Sequence, residues 1–490
     1  MYIVQIAAEC APVAKVGGLG DVVYGLSREL EVRGHSVEII LPKYQRMRHD
    51  HVWGLQVSLP DLWVPWLGGG IHCTVWFGFV HGRKCFFIEP HSADNYFNRP
   101  EFYGYLDEVL RWSFFSKAAL EFLLKSGKRP DIIHAHDWQT ALVPVLLYEI
   151  YATAGLAQQR VCFTVHNFKH QGVTGPQFLD ATGLGRHGFF GKPEKFGDDI
   201  HPGAYNLLKG GIVYANFTTT VSPRHAWEAH FTDQGAGLGA TLETHQLKFG
   251  GVLNGVDYDV WNPEVDPYLA RRYGPGTVEV KYVNKAALRQ RFLLRDAYQP
   301  IIAYIGRLDH QKGVELIRHT LFWAINHGAQ FLLLGTSPLP ELNTSFRNLK
   351  QLLNDNPDCH LELGFSEELA HLIYAGSDLL IMPSLYEPCG LTQMIALKYG
   401  TVPIVRAVGG LMDTVFDRDF SNRLPEHRNG FVFQHPDHAG IESALDRAAG
   451  LWNYFPAEFR KLLLQGMRCD YSWNVPGQHY LNIYEYIRHK

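Results

Sequence analysis

The chain has no apolar run approaching the ~20 residues that a membrane-spanning helix needs. Its first residues, Met1-Tyr2-Ile3-Val4-Gln5-Ile6, lack the basic segment of a secretion signal and read instead as a first strand. Cysteine is sparse: seven in 490 residues, scattered singly and without a Cys-x-x-Cys. That excludes both a disulfide framework and a zinc ribbon. There is no basic excess either, and a net charge of −4 argues against a general nucleic-acid binder. Low-complexity segments and short-period repeats are also missing. What remains is a reduced, cytoplasmic protein with 46% apolar and 19% charged residues, suited to a packed fold. At 490 residues it is too long for one ordinary core and predicts two or three domains.

Two loops, far apart, organise what is present. Lys15-Val16-Gly17-Gly18-Leu19-Gly20-Asp21 follows the apolar run Tyr2–Ala8 and leads into a helix-like segment, Val22–Val32. Arg307-Leu308-Asp309-His310-Gln311-Lys312-Gly313 follows Ile301–Ile305 and leads into Val314–Ile325. Strand, Gly-rich or cationic loop, then helix is the arrangement that turns backbone N–H groups toward a phosphate. Its doubling predicts two nucleotide-fold domains facing one cleft, with a phosphate-bearing substrate between them.

Further strands are expected at Val37–Leu41, Ile71–Val80, Lys84–Ile88, Ile132–Ala135, Val161–Val165, Phe217–Val221 and Gly251–Leu253. In the second half they are Phe331–Leu334, His360–Leu363, Leu379–Met382, Val402–Val405 and Gly430–Phe433. The turn residues His81-Gly82-Arg83 predict a hairpin. Helical stretches, notably Asp107–Ser126 and Gln139–Tyr151, lie between the others, so the pattern is α/β with parallel sheets covered on both faces. The boundary is expected near Asn254–Pro267, where Asn-Gly, Asn-Pro and Asp-Pro signals cluster.

Chemistry-bearing residues fall on these loops. Gly17, Gly18 and Gly20 let the backbone approach a ligand closely, and Lys15 adds a positive charge. Arg307 and Lys312 can converge on a diphosphate as a fork and a point charge. Glu387, in Pro383-Ser384-Leu385-Tyr386-Glu387-Pro388-Cys389-Gly390-Leu391-Thr392, sits at a strand C-terminus, where open α/β sheets bind ligands. Gly390 to Thr392 would present N–H groups at the next helix start. Cys389 reads as a small packed residue rather than a nucleophile, since no histidine is near it in sequence. His134-Ala135-His136-Asp137 and His166-Asn167 stand at two further strand ends. A metal-hydrolase reading of His-x-His would need ligands from more strand ends than an open, doubled sheet offers. Asp257-Tyr258-Asp259 and Asp417-Arg418-Asp419 have an Asp-x-Asp shape but lie in turn-rich sequence and read as solvated loops.

Together these segments resemble the bacterial glycogen synthase and plant starch synthase family. The resemblance rests on Lys15–Asp21, His134–Trp138, Thr164–Asn167, Leu208–Ile212, Thr219–Pro223, Leu253–Asp257 with Trp261–Pro263, Arg307 with Lys312, and Glu387–Gln393. They occur in family order as far as Tyr471–Trp473, covering nearly the whole chain. It implies a GT-B fold: two Rossmann-like doubly wound domains facing a central cleft. Residues 1–255, completed by 471–490 as a crossover helix, would form the acceptor-side domain, and 256–470 the donor-side domain.

The resemblance further implies retaining transfer of glucose from ADP-glucose to the non-reducing 4-OH of an α-1,4-glucan or maltooligosaccharide. No cofactor, metal, nucleic acid or membrane is implied, and the oligomeric state is left open. His166, Asp137, Glu387, Arg307 and Lys312 would be catalytic. Lys15, Gly17, Gly18, Arg307, Lys312, Cys389, Gly390, Leu391 and Thr392 would bind the donor, and Asp21, Asp137 and Asn167 the acceptor; Asn254 is a weaker carry-over. Phe168-Lys169-His170 and Gly239 depart from the family pattern. Two alternatives stay open: a related transferase using UDP-glucose or another acceptor, and a glucan-binding protein without activity.

Overall fold

The computed structural model of the chain describes residues 1–353 and 355–490. They form two compact units, Met1–Gly255 with Trp473–Lys490, and Val256–Ser472.

The first unit is built from β1 (Tyr2–Ile6), β2 (Ser36–Pro42), β3 (Val52–Trp66), β4 (Gly69–Val80), β5 (Arg83–Pro90), β6 (Ile132–His136), β7 (Arg160–Val165), β8 (Val173–Thr174), β9 (Tyr205–Asn206), β10 (Phe217–Thr220) and β11 (Phe249–Gly251). Nine of these form one sheet in the order β11-β10-β7-β6-β1-β2-β5-β4-β3, and β8 pairs with β9 in a separate ribbon. From β11 to β5 all neighbours are parallel, while β4 runs antiparallel to both β5 and β3. The short apolar runs make parallel strands because helices bury both faces. On one face Val4, Ile6, Ile133 and Ala135 share a core with Phe114, Phe115 and Ala118 of helix Glu108–Lys125. On the other, Ile3, Ile132 and Cys162 meet Val22, Leu26 and Leu30 of helix Gly18–Val32.

The last helix, Asn474–Arg488, packs on that second face through Tyr480, Tyr484 and Ile487, all fully buried. Side chains of this size contribute roughly 1.5–3 kcal/mol each on burial. Gly25 admits the chain that leads into this helix: a Cβ there would lie 2.1 Å from Trp473 Nε1.

The β4–β5 hairpin turns on His81 and Gly82, both with positive φ (46° and 84°), the backbone that a tight two-residue hairpin demands. The apolar runs do not reveal β3. It is an edge strand with three register shifts, and only Leu62, Val64 and Trp66 alternate as buried residues. Pro60 and Pro65 are tolerated because an edge strand leaves one row of N–H groups unpaired. Residues 139–151 are a 3₁₀ turn (Trp138–Thr140), a short α-helix (Leu142–Leu146) and wide π-type turns from Leu147 to Leu156, not one regular helix.

The second unit carries β12 (Ile301–Arg307), β13 (Gln330–Thr336), β14 (Cys359–Leu363), β15 (Leu379–Met382), β16 (Val402–Arg406) and β17 (Phe431–Phe433). They form a wholly parallel sheet in the order β14-β13-β12-β15-β16-β17. Strand order reverses between β1 and β6 in the first unit and between β12 and β15 in the second. Such switch points open a crevice at the strand carboxyl ends, where doubly wound sheets bind ligands.

Candidate active site

In the first unit the switch point is bracketed by the loop after β1 and the end of β6. Glu9 organises the loop. Its Oε2 accepts the Val16 N–H (2.7 Å) and the Gly17 N–H (2.9 Å), and its Oε1 accepts the Tyr103 hydroxyl (2.7 Å). Two of the N–H groups expected to face a phosphate are therefore already bonded to a carboxylate. Lys15, Gly17 and Gly18 are exposed, and Lys15 Nζ donates to Asp21 Oδ1 at 2.7 Å, both side chains being 35% accessible.

Across the switch point, Asp137 holds φ 58° and ψ 178°, a backbone conformation nearly reserved for glycine. Keeping a non-glycine residue there costs about 1–3 kcal/mol and marks sites where a side chain must be held in place. Asp137 Oδ1 accepts the His166 N–H at 2.6 Å. Burial pushes its carboxyl up to about 7, against the His166 and Asn167 N–H groups, which favour the charged form. Burial drives the His166 imidazole the other way, down to about 3, so this ring is neutral at physiological pH. Asn167 is half-buried and its Oδ1 accepts the Lys169 N–H (2.9 Å), which shapes the loop after β7. Phe168, one of the departures from the family pattern, is fully buried.

His134 and His136 are fully buried and bonded within the protein. His134 pairs with Tyr484 Oη and Thr164 Oγ1, both at 2.7 Å. His136 pairs with Gln5 Oε1 (2.7 Å) and His166 Nε2 (3.1 Å). Every ring nitrogen of the pair is engaged, so this His-x-His serves a hydrogen-bond network.

In the second unit the loops after β12 and β15 are laced together. Leu385 N–H donates to Gln311 O (2.8 Å), and Gln311 Nε2 to Tyr386 O (3.1 Å). Asp309 Oδ1 caps the turn by accepting the Lys312 N–H at 3.0 Å. Gly313 is required here, with φ 73° and a virtual Cβ only 2.3 Å from Pro383 O. The result sets Lys312 Nζ 2.5 Å from Glu387 Oε2, which also accepts the Ser384 hydroxyl at 2.9 Å. Arg307 projects outward, 60% accessible, with Asp309 Oδ2 3.8 Å from its Nη2. Gln393 Nε2 donates to Cys389 O (3.1 Å) and Gly390 O (2.9 Å), fixing the backbone ahead of half-buried Leu391 and Thr392.

Residue by residue, the structure brings Lys15 to Asp21, Asp137 to His166, and Lys312 to Glu387. Cys389 is 4% accessible and packed. Asn254 is 5% accessible. The solvated-loop reading of Asp417-Arg418-Asp419 fails for Asp417. It is 6% accessible and accepts the Val432 N–H (2.6 Å) and Arg447 Nη1 (2.9 Å), joining β17 to helix His438–Tyr454. Sequence reasoning missed Glu9, Gln5 and Ser384. The available signal was position: Glu9 is the first acid past a buried strand, and Ser384 stands three residues before Glu387.

Comparison with known proteins agrees along the whole length. The starch synthase catalytic domain family matches residues 2–244, and the glycosyl transferases group 1 family matches residues 288–452. Glycogen synthase 1 of Synechococcus sp. (strain JA-3-3Ab) is 63% identical over 491 residues, covering 100% of both chains. Glycogen synthase 2 of Methylococcus capsulatus is 61% identical over 486 residues, covering 99% of this chain and 100% of its own. Among solved structures, the catalytic domain of starch synthase IV from Arabidopsis thaliana, bound to ADP and acarbose, superposes with a TM-score of 0.97. Its identity is 43%, and the match covers 100% of this chain and 99% of that one. The chain therefore has the GT-B fold and belongs to the family of bacterial glycogen synthases and plant starch synthases.

Proposed function

We infer that this chain is a retaining glucosyltransferase that moves glucose from ADP-glucose to the non-reducing 4-OH end of an α-1,4-glucan. The observation that carries the reading is the full-length match, at a TM-score of 0.97, to a starch synthase catalytic domain described with ADP and acarbose bound. As ADP leaves, negative charge builds on its β-phosphate. Arg307 and Lys312 stabilise that charge, with Lys15 and the exposed Gly17 and Gly18 approaching the phosphates. Preorganised cations do this most effectively in a site that excludes water. No metal or other cofactor enters the proposal, because these side chains supply the positive charge.

Glu387 holds the donor glucose through Oε1 while Lys312 and Ser384 occupy Oε2, with Cys389 to Thr392 forming the backbone around the sugar. Neutral His166 lies beside the reacting sugar as a hydrogen-bond partner rather than an acid. Asp137, Asp21 and Asn167 serve the acceptor side. Transfer proceeds on one face: the C1–O bond to phosphate breaks, the bond from C1 to the acceptor O4 forms, and the O4 proton passes to the departing phosphate oxygen. All seven cysteines are free, a state that a reducing cytoplasm preserves, and we place the reaction there.

The test is transfer of labelled glucose to a maltooligosaccharide, with ADP-glucose and UDP-glucose side by side and EDTA present. Elongation from ADP-glucose, lost in Lys312→Ala, is expected. Preference for UDP-glucose would overturn the donor, a requirement for metal would overturn the cation argument, and no elongation from either donor would overturn the enzyme.

A further inference from the structure

Three polar side chains lie where the fold asks for none. Gln5, His134 and His136 are fully buried at the centre of the first sheet, on the face shared with Ile3, Ile132 and Cys162. Burying such groups is costly unless each is hydrogen-bonded, and apolar residues would serve packing better. Gln5 on β1 stands beside His134 on β6 in the strand register, and His136 stands beside Thr164 on β7. Sheet order thus lines up side chains from β1, β6 and β7 in one row that ends at His166.

The chemistry of that row is constrained. Gln5 Oε1 lies 2.7 Å from His136 Nε2, and a carbonyl oxygen only accepts. His136 must then carry its proton on Nε2, which leaves Nδ1 as a lone pair. That nitrogen faces His166 Nε2 at 3.1 Å, with the rings inclined by 37°. Two neutral imidazoles sharing one contact have one bridging proton, and here it belongs to His166 Nε2. The other ring nitrogen of His166, Nδ1, is then a hydrogen-bond acceptor.

A second branch starts at the last helix, where the Tyr484 hydroxyl pairs with His134 Nδ1 at 2.7 Å, while the amide nitrogen of Gln5 is buried without a hydrogen-bond partner. His134 Nε2 continues to Thr164 Oγ1 (2.7 Å) and thence to Thr219 Oγ1 (2.6 Å).

We propose that Gln5 and His136 are positioning residues that fix the ring orientation and tautomer of His166, so that its Nδ1 accepts a hydroxyl of the reacting sugar. The proposal rests on the glucosyltransferase reading for the identity of that hydroxyl, but not for the tautomer. Tautomer control through the nitrogen opposite the working one is a general device for histidines, and at metal sites removing such a partner costs about ten- to a hundredfold in function.

The full-length protein, labelled with ¹⁵N in its histidine rings, reports the tautomer without any substrate. The expected His166 spectrum has a pyrrole-type Nε2 and a pyridine-type Nδ1. Gln5→Met keeps the volume and removes the amide. It should leave His166 averaging between tautomers and lower kcat about ten- to a hundredfold, with the KM for ADP-glucose little changed. Gln5→Glu restores the acceptor and should restore kcat at alkaline pH. Its added charge favours protonation of His136, so its acid limb should lie at higher pH than that of the natural protein. The titratable groups facing His136 in that titration are His134 and His166, with Tyr480 and Tyr484 beside His134 and Asp137 bonded to the His166 backbone.

A proton on His166 Nδ1 in the natural protein would overturn the proposal, as would a Gln5→Met variant with an unchanged spectrum and kcat. The natural spectrum stands alone if Gln5→Met does not fold. Expected tautomers in a protein that elongates no glucan would refute the enzyme and leave the tautomer assignment standing.

Discussion

The two switch points solve different problems. In the second unit the candidate groups come from two loops on adjacent strands and work by charge: Arg307 is exposed, and Lys312 and Glu387 form a close ion pair. In the first unit they come from β1, β6, β7 and the last helix and work by burial. There the Asp137 carboxyl is pushed up to about 7 and the His166 imidazole down to about 3. One site is a set of charged side chains, built from short local motifs. The other is a hydrogen-bonded network that needs a finished sheet. A departing diphosphate calls for the first kind, and holding a neutral sugar in one pose calls for the second.

The largest expected effect tests the charge side. Lys312→Ala should lower kcat about 10²–10³-fold, or ~3–4 kcal/mol, the usual cost of losing one preorganised charge-stabilising group. Near-normal turnover would show that the second site does not work by charge. Next comes the backbone that aims this lysine. Gly313→Ala must place a Cβ against Pro383 O at positive φ, costing about 1–2 kcal/mol from backbone strain alone. It should lower the Tm and raise the KM for ADP-glucose while glucan affinity stays the same. A shift in glucan affinity alone would reverse the division of labour.

Acid should separate the two units. Burial depresses His134, His136 and His166, and holds His225 and His245 at about 4, all in the first unit. A base depressed in the folded state adds stability that is complete above its ordinary value of 6.5 and is lost as pH falls through the folded value. Hydrogen exchange between pH 7 and pH 4.5 should therefore show the first unit loosening before the second. Earlier loosening of the second unit would contradict this. The smallest effect has the opposite sign. Asp137 is raised, so its contribution is full below about 4 and is lost as pH rises through about 7. Asp137→Asn should gain Tm relative to the natural protein on going from pH 5 to pH 8. A difference independent of pH would mean that the carboxyl is not held near neutrality.

Legibility in the sequence followed the same division. Arg307 ends β12, and Lys312 and Glu387 lie in the loops that follow β12 and β15, strands whose apolar runs are plain, so these loops were readable from neighbours close in sequence. Gln5 was not, because nothing local says that β1 lies between β2 and β6, and Glu9 was not, because a lone acid after a strand does not show that it will turn back onto the N–H groups of Val16 and Gly17. The edge strand β3 was missed because only Leu62, Val64 and Trp66, near its end, are buried in the alternating pattern of a strand. Asp417 read as solvated because its partner, Arg447, is thirty residues away on a helix that returns to it.

The sequence by itself determined the alternation of short buried strands with helices, the doubling of the nucleotide fold, and the charged loops, since these depend on periodicity and on residues close in the chain. Tertiary structure alone decided which polar groups are buried, which partners a histidine ring meets, and which carboxyl is kept near neutral. Those properties depend on the order of strands in a sheet and on the dielectric around a side chain, and neither is written in any one stretch of residues.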